Sequence, residues 1–489
     1  MLRACLRPLL ALLLTLTATM AAGTPGGMPL VALGGRVVTP EGVLEHGWVV
    51  VGDGKIVSVS ADLPDLPPLQ LLRTKDTVYP GFVDLHNHPL FDMLPRWQPA
   101  HLYDNRYQWR NESAHVNAVT RPVREMTIWR FCEVDEFAEM KAVIGGTTSL
   151  LGIGRPPAYA DFLYDALNRV KQMAAANGRK LPSLQQCVGA LARNLDWPGA
   201  FPGGAPQAAR VEAVLGVTDA DLPDERRRKV SDGMRRGAVD LLTIHLAEGR
   251  KSDAVTRAEF AKLQAAGLLN AHTAIVHGIS LDRDQFRRMK QAGAALIWSP
   301  RSNLALYGQT ADVLTARQEQ VALALAPDWA PTGSNNMLAE LGFAHAYSLQ
   351  FLGGRLTPHD LFLMATSTPA RIAHVDDKIG SVAAGRYADL FLLAGDTEDP
   401  YQALVKARPE DVTLVMIGGT PVFGSPDHLQ RLHVRQTEML TVCGAMRAVN
   451  AAALPAGPLA PLTAGLAQGL RDRGQRLGEL ADCGAGQRQ

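Results

Sequence analysis

Net charge is nearly absent from this chain: 49 Lys and Arg face 48 Asp and Glu over 489 residues. That balance, with no basic block, excludes an electrostatic case for nucleic acid or an acidic membrane. Aromatic residues make up only 6%, and no RNA-binding aromatic pattern runs through them. Cysteine is scarce, with five in all. None has a C-x-x-C partner, which argues against a thiolate metal site. Internal repeats are missing. The apolar run at 9–16 is too short for a comfortable membrane span.

What is present is an ordinary globular composition, 47% hydrophobic and 20% charged, in a chain long enough to bury a large core. Residues 1–22 carry Arg3 and Arg7, then the apolar run, then small residues. That is the layout of a secretory signal peptide. It predicts export to the periplasm or beyond, with no stable membrane anchor once the signal is removed. A retained anchor helix is the competing reading. No paired arginines of the twin-arginine type occur in it, so export of an unfolded chain is expected, with metal acquired outside. Cys5 leaves with the signal. Cys132, Cys187, Cys443 and Cys483 remain, an even number that permits disulfides in an exported chain. Cys443 with Cys483 would staple the C-terminal tail, although four cysteines allow three connectivities.

Residues 23–80 and 377–425 read as short alternating strands between glycine turns. Between them, 81–376 alternates short apolar runs with longer amphipathic ones, as βα units do. Seven runs read as strands: GFVDLH, TTSLLGI, LQQCVGAL, DLLTIHL, TAIVHG, AALIWS and ALALAPD. An eighth is expected near 120–140 or in 200–230. The fold class is therefore α/β: a (β/α)₈ TIM-like barrel with a small β-sandwich formed by both chain ends. Residues 426–489 form a C-terminal extension with one weak helix at 458–475. Residues 91–125, irregular and aromatic, read as a cover over the substrate.

Barrel enzymes place their chemistry where strands end. One strand ends in His86-Asn87-His88, whose two imidazoles project to one side. His245 closes DLLTIHL, with Glu248 three residues on. His277 closes TAIVHG, and Asp328 follows ALALAP. A single such residue caps or packs more often than it binds. Four strand ends that each carry a metal-competent group point to a metal centre.

The order H-x-H, HLAE, VHG, WSPRSNL, APDWAPTGSNN resembles the amidohydrolase superfamily. The branch most similar holds cytosine, guanine and adenosine-type deaminases and triazine hydrolases. The resemblance covers roughly 29–425. It implies that His86, His88, His245 and Asp328 bind one divalent ion, zinc first, with iron or manganese as alternatives. It implies that His277 polarises the substrate or the bound water, and that Glu248 handles a proton on a ring nitrogen. Three imidazoles and a carboxylate leave a divalent ion an open position for water, whose pKa falls towards ~7. Asp328 would then accept the proton of the attacking water and Glu248 would act as general acid. The catalytic residues expected are Glu248, His277 and Asp328.

Two departures from the family pattern stand out. SLQQCVGALARN, read as the strand-four region, ends without the lysine that bridges two metals in some relatives, so one ion is expected. Ala326-Pro327-Asp328 replaces a usual Gly-Thr-Asp, which leaves the substrate open. Ser299, Arg301 and Asn303 just past strand seven, and Trp109 and Arg110 in the cover, are candidates for holding substrate. Tyr103, Arg106 and Tyr107 could join them, or could simply pack the cover onto the rim. The expected function is hydrolysis of a non-peptide C–N bond in a small molecule, most specifically deamination of an N-heterocycle. A same-fold hydrolase of an amide or of another leaving group is the alternative, and a non-catalytic binding barrel a more distant one. A homodimer is the default expectation for such enzymes.

Overall fold

A computed structural model describes residues 30–66, 70–152, 172, 176, 187–197, 200–201, 211–219, 221–395 and 399–484. The expected signal peptide lies outside the described residues. Among the described residues no helix is long and apolar enough to cross a membrane.

Four strands open the chain: β1 (Val31–Thr39), β2 (Gly42–Gly52), β3 (Lys55–Ser60) and β4 (Gln70–Pro80). Eight short ones follow: β5 (Phe82–Asp84), β6 (Thr147–Leu150), β7 (Arg193–Asn194), β8 (Val211–Val214), β9 (Leu241–Leu246), β10 (Thr273–His277), β11 (Ala295–Trp298) and β12 (Ala322–Leu325). The last five are β13 (Leu390–Leu393), β14 (Val412–Ile417), β15 (Thr420–Gly424), β16 (Thr437–Val442) and β17 (Ala445–Asn450).

The middle eight are the barrel strands. β5 to β7 pair in parallel, and so do β8 to β12. A parallel bridge between Asn87 and Asp328 ties the end of β5 to the end of β12. Alternation sorts the side chains. Val83, Leu241, Ala274, Val276, Ile297 and Ala324 meet in one buried cluster. Their neighbours in sequence, such as Phe82, Leu242, Ile275, Leu296 and Leu323, join the cluster that includes helix residues such as Phe286 and Met289.

The eighth strand is Val211–Val214, in the second of the two expected regions; 120–140 is instead part of helix Arg121–Ile144. The LQQCVGAL reading needs correction. Pairing starts only at Arg193. Gly189 has φ +75, and the Glu139 carboxylate accepts from the backbone N–H groups of Gly189, Leu191 and Ala192. A side chain thus satisfies backbone that a strand ladder would otherwise pair. This strand is the barrel's third. The fourth, Val211–Val214, runs on into Leu215-Gly216-Val217 and carries no lysine either.

The end pieces make one nine-stranded sheet, ordered β16-β17-β15-β14-β13-β4-β1-β2-β3. It has its own core, including Leu33, Val49, Leu72, Val78, Leu392 and Leu414. The sequence boundary at 425 stops short, because β16 and β17 extend the sheet to Asn450. Their pattern is weak: Met439 and Met446 are exposed.

The expected tail helix is Leu459–Arg471, with Leu462, Leu466 and Leu470 on its buried face. They pack with Val123, Met126 and Phe137 of helix Arg121–Ile144. Beyond it the Gly478 N–H donates to Met93 O at 2.8 Å. Cys443 bonds Cys483, and Cys132 bonds Cys187. The first of these bridges spans 40 residues, which by loop entropy stabilises the fold by about 4 kcal/mol. Cys483→Ser is therefore expected to shift denaturant unfolding to clearly lower concentrations. An unchanged midpoint would mean that packing alone holds the tail.

Candidate metal centre and its proton network

Asp84 organises the turn after β5. Its carboxylate accepts from the His86 N–H and from Asn87 Nδ2, each at 3.0 Å. The turn is stitched to the end of β12 in both directions: His88 N–H donates to Asp328 O at 2.8 Å, and Asp328 N–H to His86 O at 3.2 Å. Gly152 lets β6 end beside this turn, since a Cβ there would lie 2.0 Å from Asn87 O. His277 and Asp328 both sit at φ +70. Left-handed backbone at residues other than glycine costs roughly 1–3 kcal/mol and tends to mark functional positions.

These turns bring the expected ligands together. His86 Nε2 lies 3.0 Å from Asp328 Oδ1, and His88 Nε2 lies 3.5 Å from the same oxygen. The His86 ring centroid is 4.7 Å from that of His245, 5.0 Å from His88 and 5.3 Å from His277. Three groups could each hold an ion with donor atoms within 4.8 Å of one another: His86, His88 and His245; His86, His277 and Asp328; and His245, Glu248 and His277. The donor set thus fits a divalent cation.

The electrostatics suit ligation. Burial holds His88, His245 and His277 below the ordinary histidine value, helped by neighbouring positive charge at His88 and His245 and opposed at His277 by Glu248 and Asp328, so each ring is neutral with one nitrogen free of a proton. Burial alone would raise Asp328. The hydrogen bond from His86 and the surrounding imidazoles outweigh it and keep the carboxylate ionised. Ser302 Oγ donates to Asp328 Oδ2 at 2.5 Å.

Glu248 is 2% exposed and lies beside this cluster, its Oε2 3.7 Å from His277 Nε2. Tyr307 OH donates to Glu248 Oε1 at 2.6 Å, and Trp109 Nε1 donates to the Tyr307 oxygen at 2.7 Å. Burial and the adjacent carboxylate raise the Tyr307 pKa well above its usual value, so it stays a donor. Arg106 Nε lies 3.2 Å from Glu248 Oε2. The cover docks by its backbone: Arg106 N–H donates to Glu248 O, and Arg250 N–H to Asp104 O.

The sequence candidates fall into two groups. Trp109 positions Tyr307 and faces Trp329 at 5.7 Å. Asn303 Oδ1 pairs with His277 Nδ1 at 2.9 Å, which turns the other ring nitrogen towards Glu248. Ser299 is fully buried at the start of helix Pro300–Tyr307, and its hydroxyl lacks a hydrogen-bond partner among the described residues. Arg110 instead pairs with Asp221 at 3.2 Å. Arg301 reaches Asp482 at 3.7 Å, and its backbone N–H reaches Glu340. Both arginines make structural ion pairs with residues outside the ligand set.

Sequence reasoning missed Tyr307, Ser302, Trp329 and Asp84. Tyr307 lies one turn past Asn303 on the same helix, but nothing in the pattern marks it. Ser302 sits inside WSPRSNL between two residues that were singled out, so motif position could have found it.

Comparison with known proteins gives the family and the fold. Residues 77–422 match the model of the amidohydrolase family, and the chain belongs to that family. It is 24% identical over 426 residues to an 8-oxoguanine deaminase of Pseudomonas aeruginosa, covering 78% of this chain and 91% of that protein. It is 29% identical to the guanine deaminase of Escherichia coli over 383 residues, 74% of this chain and 84% of that one. Among solved structures, a zinc-bound adenosine deaminase from Xanthomonas campestris superposes with a TM-score of 0.62 at 18% identity, covering 91% of this chain and 98% of its own. A zinc complex of atrazine chlorohydrolase from Arthrobacter aurescens superposes with a TM-score of 0.59 at 18% identity, covering 80% and 95%.

Proposed function

We propose that this protein hydrolyses the exocyclic C–N bond of a small N-heterocycle and releases ammonia. The observation that carries the reading is the meeting of His86, His88, His245 and Asp328 beside a buried Glu248. The deaminase relatives support it. A divalent ion on those four residues supplies a Lewis acid that makes water nucleophilic at neutral pH. Asp328 takes the proton from the attacking water. His277, with Nδ1 tied to Asn303, offers Nε2 as a hydrogen-bond acceptor to the same water. Glu248 delivers a proton to the ring nitrogen next to the carbon under attack. The C–O bond forms first; the C–N bond then breaks as Asp328 returns its proton to the exocyclic nitrogen, which leaves as ammonia, and the proton of the new C–OH group passes back to Glu248. Trp329, 5.9 Å from His88 between ring centroids, offers a wall for a flat ring.

The test is ammonia release from aminopurines, aminopyrimidines and aminotriazines by the zinc-loaded protein. Activity is expected to vanish on chelation and return with zinc. Glu248→Gln is expected to lower turnover about 100-fold, within the usual range for a general acid. Ring hydrolysis without ammonia would move the site to another leaving group. Full activity in Glu248→Gln would remove Glu248 from the mechanism.

We also read the chain as exported. The layout of residues 1–22 and the two disulfides support this.

A further inference from the structure

The turn after β9 has His245 on one side and Glu248 on the other. Between them Ala247 sits at φ +54, left-handed backbone that a residue with a Cβ rarely adopts. Such a turn persists only where its surroundings fix it. Both backbone groups of Ala247 are taken from outside the turn. Its N–H donates to Glu259 Oε2 at 2.6 Å, and its carbonyl accepts from the Ser280 N–H at 3.2 Å.

Glu259 opens the helix Glu259–Ala265 and is 2% exposed. A carboxyl buried so deeply is costly unless its oxygens are hydrogen-bonded. The partner of the second oxygen comes from the cover: Tyr107 OH donates to Glu259 Oε1. The cover meets the same turn by its backbone, in the antiparallel bridge of Asn105 with Gly249. Glycine permits that approach, since a Cβ at Gly249 would lie 2.5 Å from Asp104 O. Asn105 Nδ2 adds a bond to Asp253 Oδ1 at 3.1 Å. One buried carboxyl thus joins the left-handed turn to the cover.

We propose that Glu259 is a positioning residue for His245 and Glu248, and that Tyr107 makes its hold depend on the cover. With the cover docked, Tyr107 and Ala247 fix the carboxyl from opposite oxygens. With the cover lifted, one oxygen loses its partner, the carboxyl is free to turn, and the bond to Ala247 weakens. Docking of the cover therefore sets the angle of a ligand and of a proton donor besides enclosing the ring. Tyr107 belongs to this link and not to the substrate. The inference rests on the roles given above to His245 and Glu248.

The experiment compares wild type with Tyr107→Phe, Glu259→Gln and Glu259→Ala by two readouts. The first is amide hydrogen exchange of residues 246–250 in the zinc-loaded protein without substrate. The second is kcat and KM for ammonia release. Tyr107→Phe removes only a hydroxyl. It is expected to speed the exchange and to lower kcat, each by about tenfold, the worth of one hydrogen bond. KM is expected to stay within about twofold, because no contact with substrate is lost. Glu259→Ala is expected to lower kcat by about 100-fold, the upper end for a group that orients a metal ligand. Glu259→Gln keeps an oxygen for the Ala247 N–H and offers an NH₂ to the Tyr107 oxygen, so kcat is expected within about threefold of wild type. Should Glu259→Ala fail to fold, Tyr107→Phe and Glu259→Gln carry the test. Wild-type exchange or wild-type kcat in Tyr107→Phe, a change confined to KM, or a Gln variant as damaged as the Ala variant would overturn the proposal. Faster exchange in Tyr107→Phe with no ammonia from any ring in wild type keeps the hold on the turn and sinks the deaminase reading. Ammonia release with unchanged exchange does the reverse.

Discussion

Asp328→Asn is expected to keep most of its zinc and to lose about 10³-fold or more of turnover, the upper part of the range for a lost proton acceptor. The substitution keeps the shape of the side chain. His86 and His88 remain beside it, and the amide oxygen can still face the ion. What disappears is basicity. Asp328 is ionised in the protein because His86 and the neighbouring imidazoles outweigh its burial, and an amide has no comparable affinity for a proton. Ser302 adds a second effect. Its hydroxyl donates to Oδ2 and would meet an amide NH₂ if the oxygen turned to the ion. Ser302 also contacts Thr332 Oγ1 at 2.8 Å, where either oxygen can donate, so the pair can reorient. Metal analysis beside ammonia release separates the outcomes. Full activity would remove Asp328 from the proton path. Loss of zinc together with activity would make it a ligand first.

His245→Ala is expected to lose the ion itself, and activity with it. His245 is the β9 member of the cluster, with its ring 4.7 Å from that of His86 and 5.4 Å from that of His88. Its Nδ1 lies 3.3 Å from Val214 O, a second-layer bond that leaves Nε2 for the ion. Without it, two imidazoles on one turn and one carboxylate remain, three donors in place of the four that meet in the wild type. Elemental analysis of wild type should find about one ion per chain, and the variant far less. Two ions in wild type would mean a bridging ligand outside the set described. Retention of zinc in the variant would transfer the role to His277, which the structure also brings within reach of His86 and Asp328.

The barrel and its metal cluster were legible because both are written in local pattern. Apolar runs ending in His86, His88, His245, His277 and Asp328 place those residues at strand ends whatever the packing between strands. The third strand was misplaced because its lead-in uses Glu139, fifty residues upstream, as hydrogen-bond partner, and no local window shows such a contact. The hairpin β16–β17 lacks a clean alternation, so its membership of the sheet depends on β15, which it joins at Phe423 and Gly424. Arg110 is a sequence candidate because it lies in the aromatic cover, and Arg301 because it lies just past strand seven. Their partners, Asp221 and Asp482, become visible only once the chain is folded. Tyr307 was invisible for the same reason. Its role is set by Trp109, from a loop nearly two hundred residues away.

The loop after His88 takes part of its support from the tail. Met93 O accepts from Gly478 N–H, and Asp482 faces both Arg96 and Arg301 next to the Cys443–Cys483 bridge. This sets a timetable for assembly. The turn that carries His86 and His88 is made early in synthesis, yet its outer brace comes from residues translated about four hundred positions later. Until that segment arrives and its cysteines are oxidised, the first two donors stand on an unbraced loop. Zinc acquisition should therefore be a late event that follows oxidation, and a reducing environment would slow loading of the ion more than formation of the barrel.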